Sequence, residues 1–202
     1  MTKVKICGLT RRGDVAFVNE LLPEYVGFGF AESRRRVSRA IAEQLAATLD
    51  GRIAAVGVFR NQPLSEIAEI ANGGAIRLIQ LHGAEDADYI AELRRLTALP
   101  VIKSVRPGET VPHGADFALI DGENPGSGTL AKLGGAQLPS IPFFLAGGLT
   151  PENARALVRR YRPYCADVSS GVETDGAKDF GKMRAFIEAA RAQPLRGNEN
   201  CE

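Results

Sequence analysis

The hydrophobic residues of the chain fall into eight short runs separated by longer amphipathic stretches. The runs are rich in Val, Ile, Phe and Leu: VKIC from Val4, YVGFGF from Tyr25, IAAVGVF from Ile53, IRLIQL from Ile76, PVIKSV from Pro100, DFALID from Asp116, IPFFLAG from Ile141 and CADVSS from Cys165. Short, continuous apolar runs of this kind are typical of strands that are buried on both faces of a parallel sheet. The pattern therefore predicts eight buried parallel strands.

Between most of these runs, apolar residues recur at spacings of three and four, which predicts amphipathic helices. The predicted helices cover 11–22, 38–49, 64–71, 85–96, 151–161 and 180–192. Ser38 and Thr150 stand where N-caps are expected, and Pro151 occupies a first helical position.

The spacing of the strands predicts how they assemble. Strand starts recur about every 25 residues, except for an interval of 16 between the fifth and sixth runs, which contains Pro107 and Pro112. Eight repeated strand–helix units favour a closed (βα)₈ barrel, the TIM barrel of the α/β class, over an open sheet. The short interval predicts that helix 5 is missing or reduced. We expect one barrel domain over 1–192 and a flexible C-terminal tail over 193–202.

Composition narrows the range of partners. The 202 residues carry a net charge of +1, which gives no reason to expect nucleic acid or an anionic membrane as a partner. The N-terminus lacks the apolar core of a signal peptide, and no run approaches a membrane span. Three scattered cysteines and two histidines favour neither a disulfide framework nor a metal site. A cytoplasmic protein without a metal or organic cofactor is the expectation.

In a (βα)₈ barrel the chemistry lies at the C-terminal ends of the strands. Cys7 ends the first strand and shares a face with Lys5, so it is either a buried hydrophobe or a thiol that a cation activates. Asp121 ends the sixth strand, as a loop cap or as a functional acid. His82 ends the fourth strand, and a catalytic role and a purely structural role in the barrel mouth are equally compatible with that position. Lys103 lies within the fifth strand and is expected in the barrel interior, paired with an acid.

Two glycine-rich segments and one arginine cluster complete the candidate site. AGGLT, with Gly147 and Gly148, and DVSSGVE, with Ser169, Ser170 and Gly171, follow the seventh and eighth strands. That is the usual phosphate site of this fold, although tight turns alone would also require glycine. An arginine of the SRRR segment, Arg35, either faces solvent or clamps a carboxylate.

These segments resemble the phosphoribosylanthranilate isomerase family of tryptophan biosynthesis. The similarity runs from Lys3 to about Ile187 and is carried by KICGLT, FGFAESRR, QLHG, DGENPGSG, AGGLTPENA and DVSSGVET with DGAKD. The family is a (βα)₈ barrel without a regular fifth helix. The sequence departs from the family pattern at TLAKLGG (129–135), which replaces an aromatic segment and predicts a short or reshaped helix there.

The resemblance implies an isomerase that performs an Amadori rearrangement. N-(5-phosphoribosyl)anthranilate becomes 1-(2-carboxyphenylamino)-1-deoxyribulose 5-phosphate, with Cys7 as general base and Asp121 as general acid. Arg35 is then the carboxylate-binding arginine, although three consecutive arginines also allow Arg34 or Arg36. His82 and the two glycine-rich segments would contact the substrate, a small sugar phosphate. The family includes monomers and homodimers.

Two other functions compete with this interpretation. Another phosphate-binding barrel, such as an aldolase, an epimerase or indole-glycerol-phosphate synthase, would call for a Schiff-base lysine, a glutamate base or a metal cluster at the strand ends. A barrel that only binds a sugar phosphate would need neither Cys7 nor Asp121.

Overall fold

The computed structural model describes residues 1–121 and 137–192. Eight parallel strands, β1 to β8, close into a barrel in the order in which they occur in the chain. Their bounds are Lys3–Cys7, Tyr25–Gly29, Ala54–Phe59, Leu78–Leu81, Val101–Val105, Phe117–Ile120, Phe143–Leu145 and Cys165–Val168. The α/β barrel predicted from the spacing of the apolar runs is confirmed.

Within the described residues, five α-helices connect strands of the barrel and a sixth follows β8. In chain order, α1 to α6 are Arg12–Leu21, Arg39–Ala46, Leu64–Asn72, Ala87–Leu96, Pro151–Tyr161 and Phe180–Arg191. The Ser38 hydroxyl accepts a hydrogen bond from the Ile41 N–H at the start of α2, and Pro151 opens α5. The connection from β5 to β6 contains no helix, which confirms the missing fifth helix.

Two predictions fall on residues that the structure does not describe. These are the shape of the segment after strand six, including TLAKLGG, and the flexible tail at 193–202, both of which lie outside the described residues. Within the described residues, no helix has the length and apolar character needed to cross a bilayer.

The hydrophobic core has two parts because strand residues alternate between the two faces of the barrel wall. The larger part lies between the wall and the helices. The smaller part fills the lower interior of the barrel with Tyr25, Val56, Leu78, Ile102, Leu119, Phe144, Ala146 and Cys165. Leu119 and Ala146 of this smaller part also face the C-terminal strand ends, where polar interior residues such as Gln80 and Asp167 join them.

Lys103 corrects one expectation. It is paired with an acid, since its Nζ lies 3.0 Å from Glu85 Oε2 and donates to the Gly83 carbonyl. However, its neighbour Ile102 occupies the barrel interior, so alternation directs Lys103 to the outer face of the wall. A lysine therefore stabilises the loop after β4 from outside the barrel.

A short hairpin follows the eighth strand and was not anticipated. Two-residue strands, β9 (Glu173–Thr174) and β10 (Ala177–Lys178), pair antiparallel across Asp175 and Gly176, which both have positive φ. An Asp-Gly pair is the preferred sequence for such a turn. The hairpin places Glu173 and Lys178 beside the mouth of the barrel.

Candidate active site

A cavity of about 270 Å³ opens at the C-terminal ends of the strands. All nine residues that the sequence proposed for the site lie on its wall: Cys7, Arg35, His82, Asp121, Gly147, Gly148, Ser169, Ser170 and Gly171. The fold therefore brings together residues that are separated by up to 164 positions in the chain.

Cys7 lies at the end of β1, in a space that a neighbouring glycine creates. Gly27 of β2 is its register partner, and a Cβ at that position would lie 2.6 Å from the Cys7 Sγ. The Ser169 hydroxyl donates to the Cys7 carbonyl at 3.0 Å, which ties the ends of β1 and β8 together. Burial raises the pKa of the Cys7 thiol, and the Lys5 ammonium opposes that rise.

Lys5 lies directly below Cys7 and forms a buried ion pair. Its Nζ lies 2.7 Å from Asp167 Oδ2, and both side chains are almost fully buried. Burial alone would lower the pKa of Lys5, but the Asp167 carboxylate and the Cys7 sulfur raise it above its ordinary value. The Asp167 carboxylate therefore favours the charged form of Lys5 next to the thiol.

Asp121 belongs to a polar chain on the opposite wall that also contains His82 and Gln80. Its Oδ2 lies 3.2 Å from His82 Nε2, and His82 Nδ1 lies 3.0 Å from the Gln80 amide nitrogen. The Gln80 amide donates to Nδ1, which leaves the Nε2–H directed at Asp121. The other carboxylate oxygen, Oδ1, is buried and has no hydrogen-bond partner among the described residues.

The two glycine-rich loops pack against each other at one side of the cavity. Gly147 and Gly148 have φ of 79° and 69°, a conformation that other residues rarely adopt. The Asn153 amide donates to the Gly148 carbonyl at 2.8 Å and fixes the first loop to α5. A Cβ at Gly171 would lie 2.0 Å from the Leu149 carbonyl oxygen, so the second loop reaches the first only because Gly171 has no side chain.

The structure separates the three consecutive arginines. Arg35 alone of the three lines the main cavity, and its side chain is 22% exposed. Arg36 pairs with Glu32 on the surface, and Arg34 is exposed. The register that the sequence left open therefore favours Arg35 as the arginine that faces a ligand.

Sequence reasoning did not assign several residues that complete the site. Gln80 and Asp167 line the cavity, and each has one buried side-chain oxygen without a partner among the described residues. Both could have been found by strand alternation, since they lie two residues before His82 and Ser169 respectively. Glu173 and Lys178 pair with each other beside Arg35, and the Asp-Gly turn between them was the available signal.

The arrangement places the Cys7 thiol, the Asp121 and Asp167 carboxyl groups, two glycine-rich loops and the Arg35 guanidinium around one cavity. Within the described residues, no group of three His, Cys, Asp or Glu side chains could hold a metal ion. Chemically, the cavity can bind an anionic molecule at two ends and move protons at its centre.

Comparison with known proteins gives a consistent result. The family model for N-(5'-phosphoribosyl)anthranilate isomerase matches residues 4–189. The chain is 40% identical over 199 residues to N-(5'-phosphoribosyl)anthranilate isomerase from Endomicrobium trichonymphae, covering 95% of this chain and all of that one.

Two solved structures share the fold closely. A crystal structure of phosphoribosyl anthranilate isomerase from Thermus thermophilus superposes with a TM-score of 0.79 at 32% identity, covering 93% of this chain and 98% of that one. A crystal structure of a phosphoribosyl anthranilate isomerase in complex with reduced 1-(o-carboxyphenylamino)-1-deoxyribulose 5-phosphate gives a TM-score of 0.76 at 28% identity, covering 94% of this chain and 98% of that one.

Proposed function

The chain belongs to the N-(5'-phosphoribosyl)anthranilate isomerase family, enzymes of tryptophan biosynthesis, and we propose that Cys7 is its general base and Asp121 its general acid. The proposed reaction is the Amadori rearrangement of N-(5-phosphoribosyl)anthranilate to 1-(2-carboxyphenylamino)-1-deoxyribulose 5-phosphate. The observation that carries these roles is the placement of a thiol and a carboxyl group on opposite walls of one cavity. Cys7 ends β1 and Asp121 follows β6, and β7 and β8 separate them in the closed barrel.

The first step of the rearrangement opens the furanose ring. A proton is delivered to the ring oxygen, the C1–oxygen bond breaks, and the anthranilate nitrogen shares the positive charge that develops at C1. Asp121 is suited to this step because its two oxygens have different surroundings. Oδ2 lies 3.2 Å from His82 Nε2 on the cavity wall and is the oxygen proposed to deliver the proton, whereas Oδ1 is buried.

The second step removes the proton from C2 and yields the enol form of the product. Cys7 is proposed to take this proton as a thiolate. Burial works against the thiolate, and the nearby Lys5 ammonium works for it. Since one acid and one base are sufficient for both steps, we propose that no metal or organic cofactor takes part.

The two ends of the substrate are proposed to be held far from the reacting carbons. The phosphate would bind at Gly147, Gly148, Ser169, Ser170 and Gly171, where the two loops meet. The Arg35 guanidinium would bind the anthranilate carboxylate, and His82 would contact the sugar beside Asp121. Binding energy from the two ends would position the ribose between acid and base.

The remaining sequence expectations stay predictions. They are a cytoplasmic location, the absence of nucleic-acid and membrane partners, and a monomer or homodimer.

Turnover of freshly made phosphoribosylanthranilate tests the proposal, because the fluorescence of this molecule falls as it isomerises. We expect the purified chain to be active and Cys7→Ala to lower kcat by about 10²-fold or more with the fold intact. Cys7→Ser should be nearly as inactive, since an alcohol is a much weaker base than a thiolate. Near-native kcat in a folded Cys7→Ala enzyme would show that the thiol only packs.

A further inference from the structure

We propose that Glu173 is a positioning residue for substrate binding, which orients the Arg35 guanidinium so that its outer edge faces the cavity. The inference rests on the proposed function of Arg35 as the carboxylate-binding arginine. It adds a residue from the hairpin after β8, which does not itself line the main cavity.

The contact between the two side chains is bidentate. Arg35 Nε donates to Glu173 Oε1 at 2.7 Å, and Arg35 Nη2 donates to Oε2 at 2.9 Å. A guanidinium has five N–H donors, so Glu173 occupies one edge of the fork and leaves both N–H groups of Nη1 and one of Nη2. Those remaining donors form a second edge that matches another carboxylate.

Lys178 fixes Glu173 in turn. Its Nζ donates to Glu173 Oε1 at 2.8 Å and to the Ser169 carbonyl at 2.9 Å, and its side chain is 1% exposed. Glu173 is itself 8% exposed. The Glu173 carboxylate is therefore bound by Arg35 on one side and by buried Lys178 on the other. Because Lys178 is also hydrogen-bonded to the end of β8, the position of the carboxylate is fixed independently of Arg35.

The charges of this cluster favour an incoming anion. Arg35 and Lys178 carry two positive charges against the single negative charge of Glu173. Two other carboxylates on the adjoining cavity walls, Asp14 and Glu32, are already paired with Arg11 and Arg36. A substrate carboxylate at the free edge of Arg35 would bring the cluster to neutrality, so Glu173 orients the arginine without cancelling its attraction for the ligand.

The stem of Arg35 is confined as well. Gly8 has a φ of +82°, and a Cβ at this position would lie 2.5 Å from Arg35 Cδ. The arginine therefore passes closely over the backbone at the end of β1, with Glu173 holding its head group. Both ends of the side chain are fixed, which lowers the entropy lost when a ligand binds.

Glu173→Gln tests the inference, with Glu43→Gln as the matched control. Glu43 also accepts from an arginine Nε at 2.7 Å, but on the exposed surface of α2. We expect Glu173→Gln to raise KM about tenfold or more while kcat changes less than about threefold, and Glu43→Gln to change neither. Competition by inorganic phosphate should be unaffected in both variants, because phosphate binds at the loops and not at Arg35.

The double variant Glu173→Gln with Arg35→Ala tests whether Glu173 affects KM through Arg35. If Glu173 acts through Arg35, then Glu173→Gln should add nothing to the KM of Arg35→Ala. An additive loss, weakened phosphate competition, or a native KM in Glu173→Gln overturns the inference. If Glu173→Gln does not fold, Glu173→Asp retains the charge but shortens the reach, and a native KM in that variant overturns it equally. A native KM in Arg35→Ala itself would instead overturn the proposed function of the arginine.

Discussion

Gly171→Ala is expected to damage the phosphate site by forcing its two loops apart. The new Cβ would lie 2.0 Å from the Leu149 carbonyl oxygen and 3.1 Å from the Leu149 carbonyl carbon. Both are backbone atoms, and Leu149 directly precedes Thr150, the N-cap of α5, so no flexible side chain can relieve the contact. One loop must therefore move by about 1 Å or more to restore an ordinary contact.

The size of this displacement sets the expected effect. A misplacement of about 1 Å costs up to about 10²-fold in rate, and overpacking costs about 1–3 kcal/mol of folding free energy. We expect kcat/KM to fall by about 10²-fold and the inhibition constant of inorganic phosphate to rise at least about tenfold. In a chain of this size, each kcal/mol lowers Tm by about 2–4 °C.

The assay compares Gly171→Ala with Gly51→Ala, measuring fluorescence turnover, phosphate inhibition and thermal unfolding. A Cβ at Gly51 would meet no atom within 4 Å, so that variant should be native in all three. The reasoning is refuted if Gly171→Ala binds phosphate within about twofold of the native enzyme. That result would mean either that the loops part without cost or that the anion binds elsewhere.

Two further changes address the carboxylate end of the site and the buried ion pair. Arg35→Ala should raise KM strongly. Removal of the anthranilate carboxylate from the substrate should then cause little further rise in KM in that variant. If Arg34→Ala or Arg36→Ala gives this result instead, the neighbouring arginine binds the carboxylate. Lys5→Met leaves the buried Asp167 carboxylate unpaired and should lower the free energy of unfolding in urea by about 3–5 kcal/mol, whereas Lys5→Met with Asp167→Leu should recover most of that loss. Equal stability of the single and double variants would contradict the second expectation.

The barrel could be predicted from sequence because its determinants are local. Each strand is a short apolar run, and the missing fifth helix appears as one short interval with two prolines. The position of the site followed as well, since all parallel strands of a closed barrel end at the same edge. Cys7 and Asp121 were found in this way because each directly ends a strand.

What could not be predicted depends on contacts between distant parts of the chain. The pairing of Arg35 with Glu173 joins residues 138 positions apart, and that of Lys5 with Asp167 joins residues 162 apart. No local pattern specifies either pair, because both arise from barrel closure and from the hairpin that follows β8. Lys103 is a further example. An acidic partner for this lysine could be predicted from the sequence, but the side of the barrel wall on which it lies could not, because that depends on which residues of β5 face the interior.

The most direct test of the account is Asp121→Asn, measured for turnover and for binding of reduced 1-(o-carboxyphenylamino)-1-deoxyribulose 5-phosphate on one purified sample. The amide keeps the shape of the carboxyl group but cannot deliver a proton to the ring oxygen. We expect kcat to fall by about 10³-fold or more and the affinity for the analogue to change by less than about tenfold. Retained turnover would remove Asp121 from the mechanism, and lost analogue binding would make it a binding or structural residue instead of the acid.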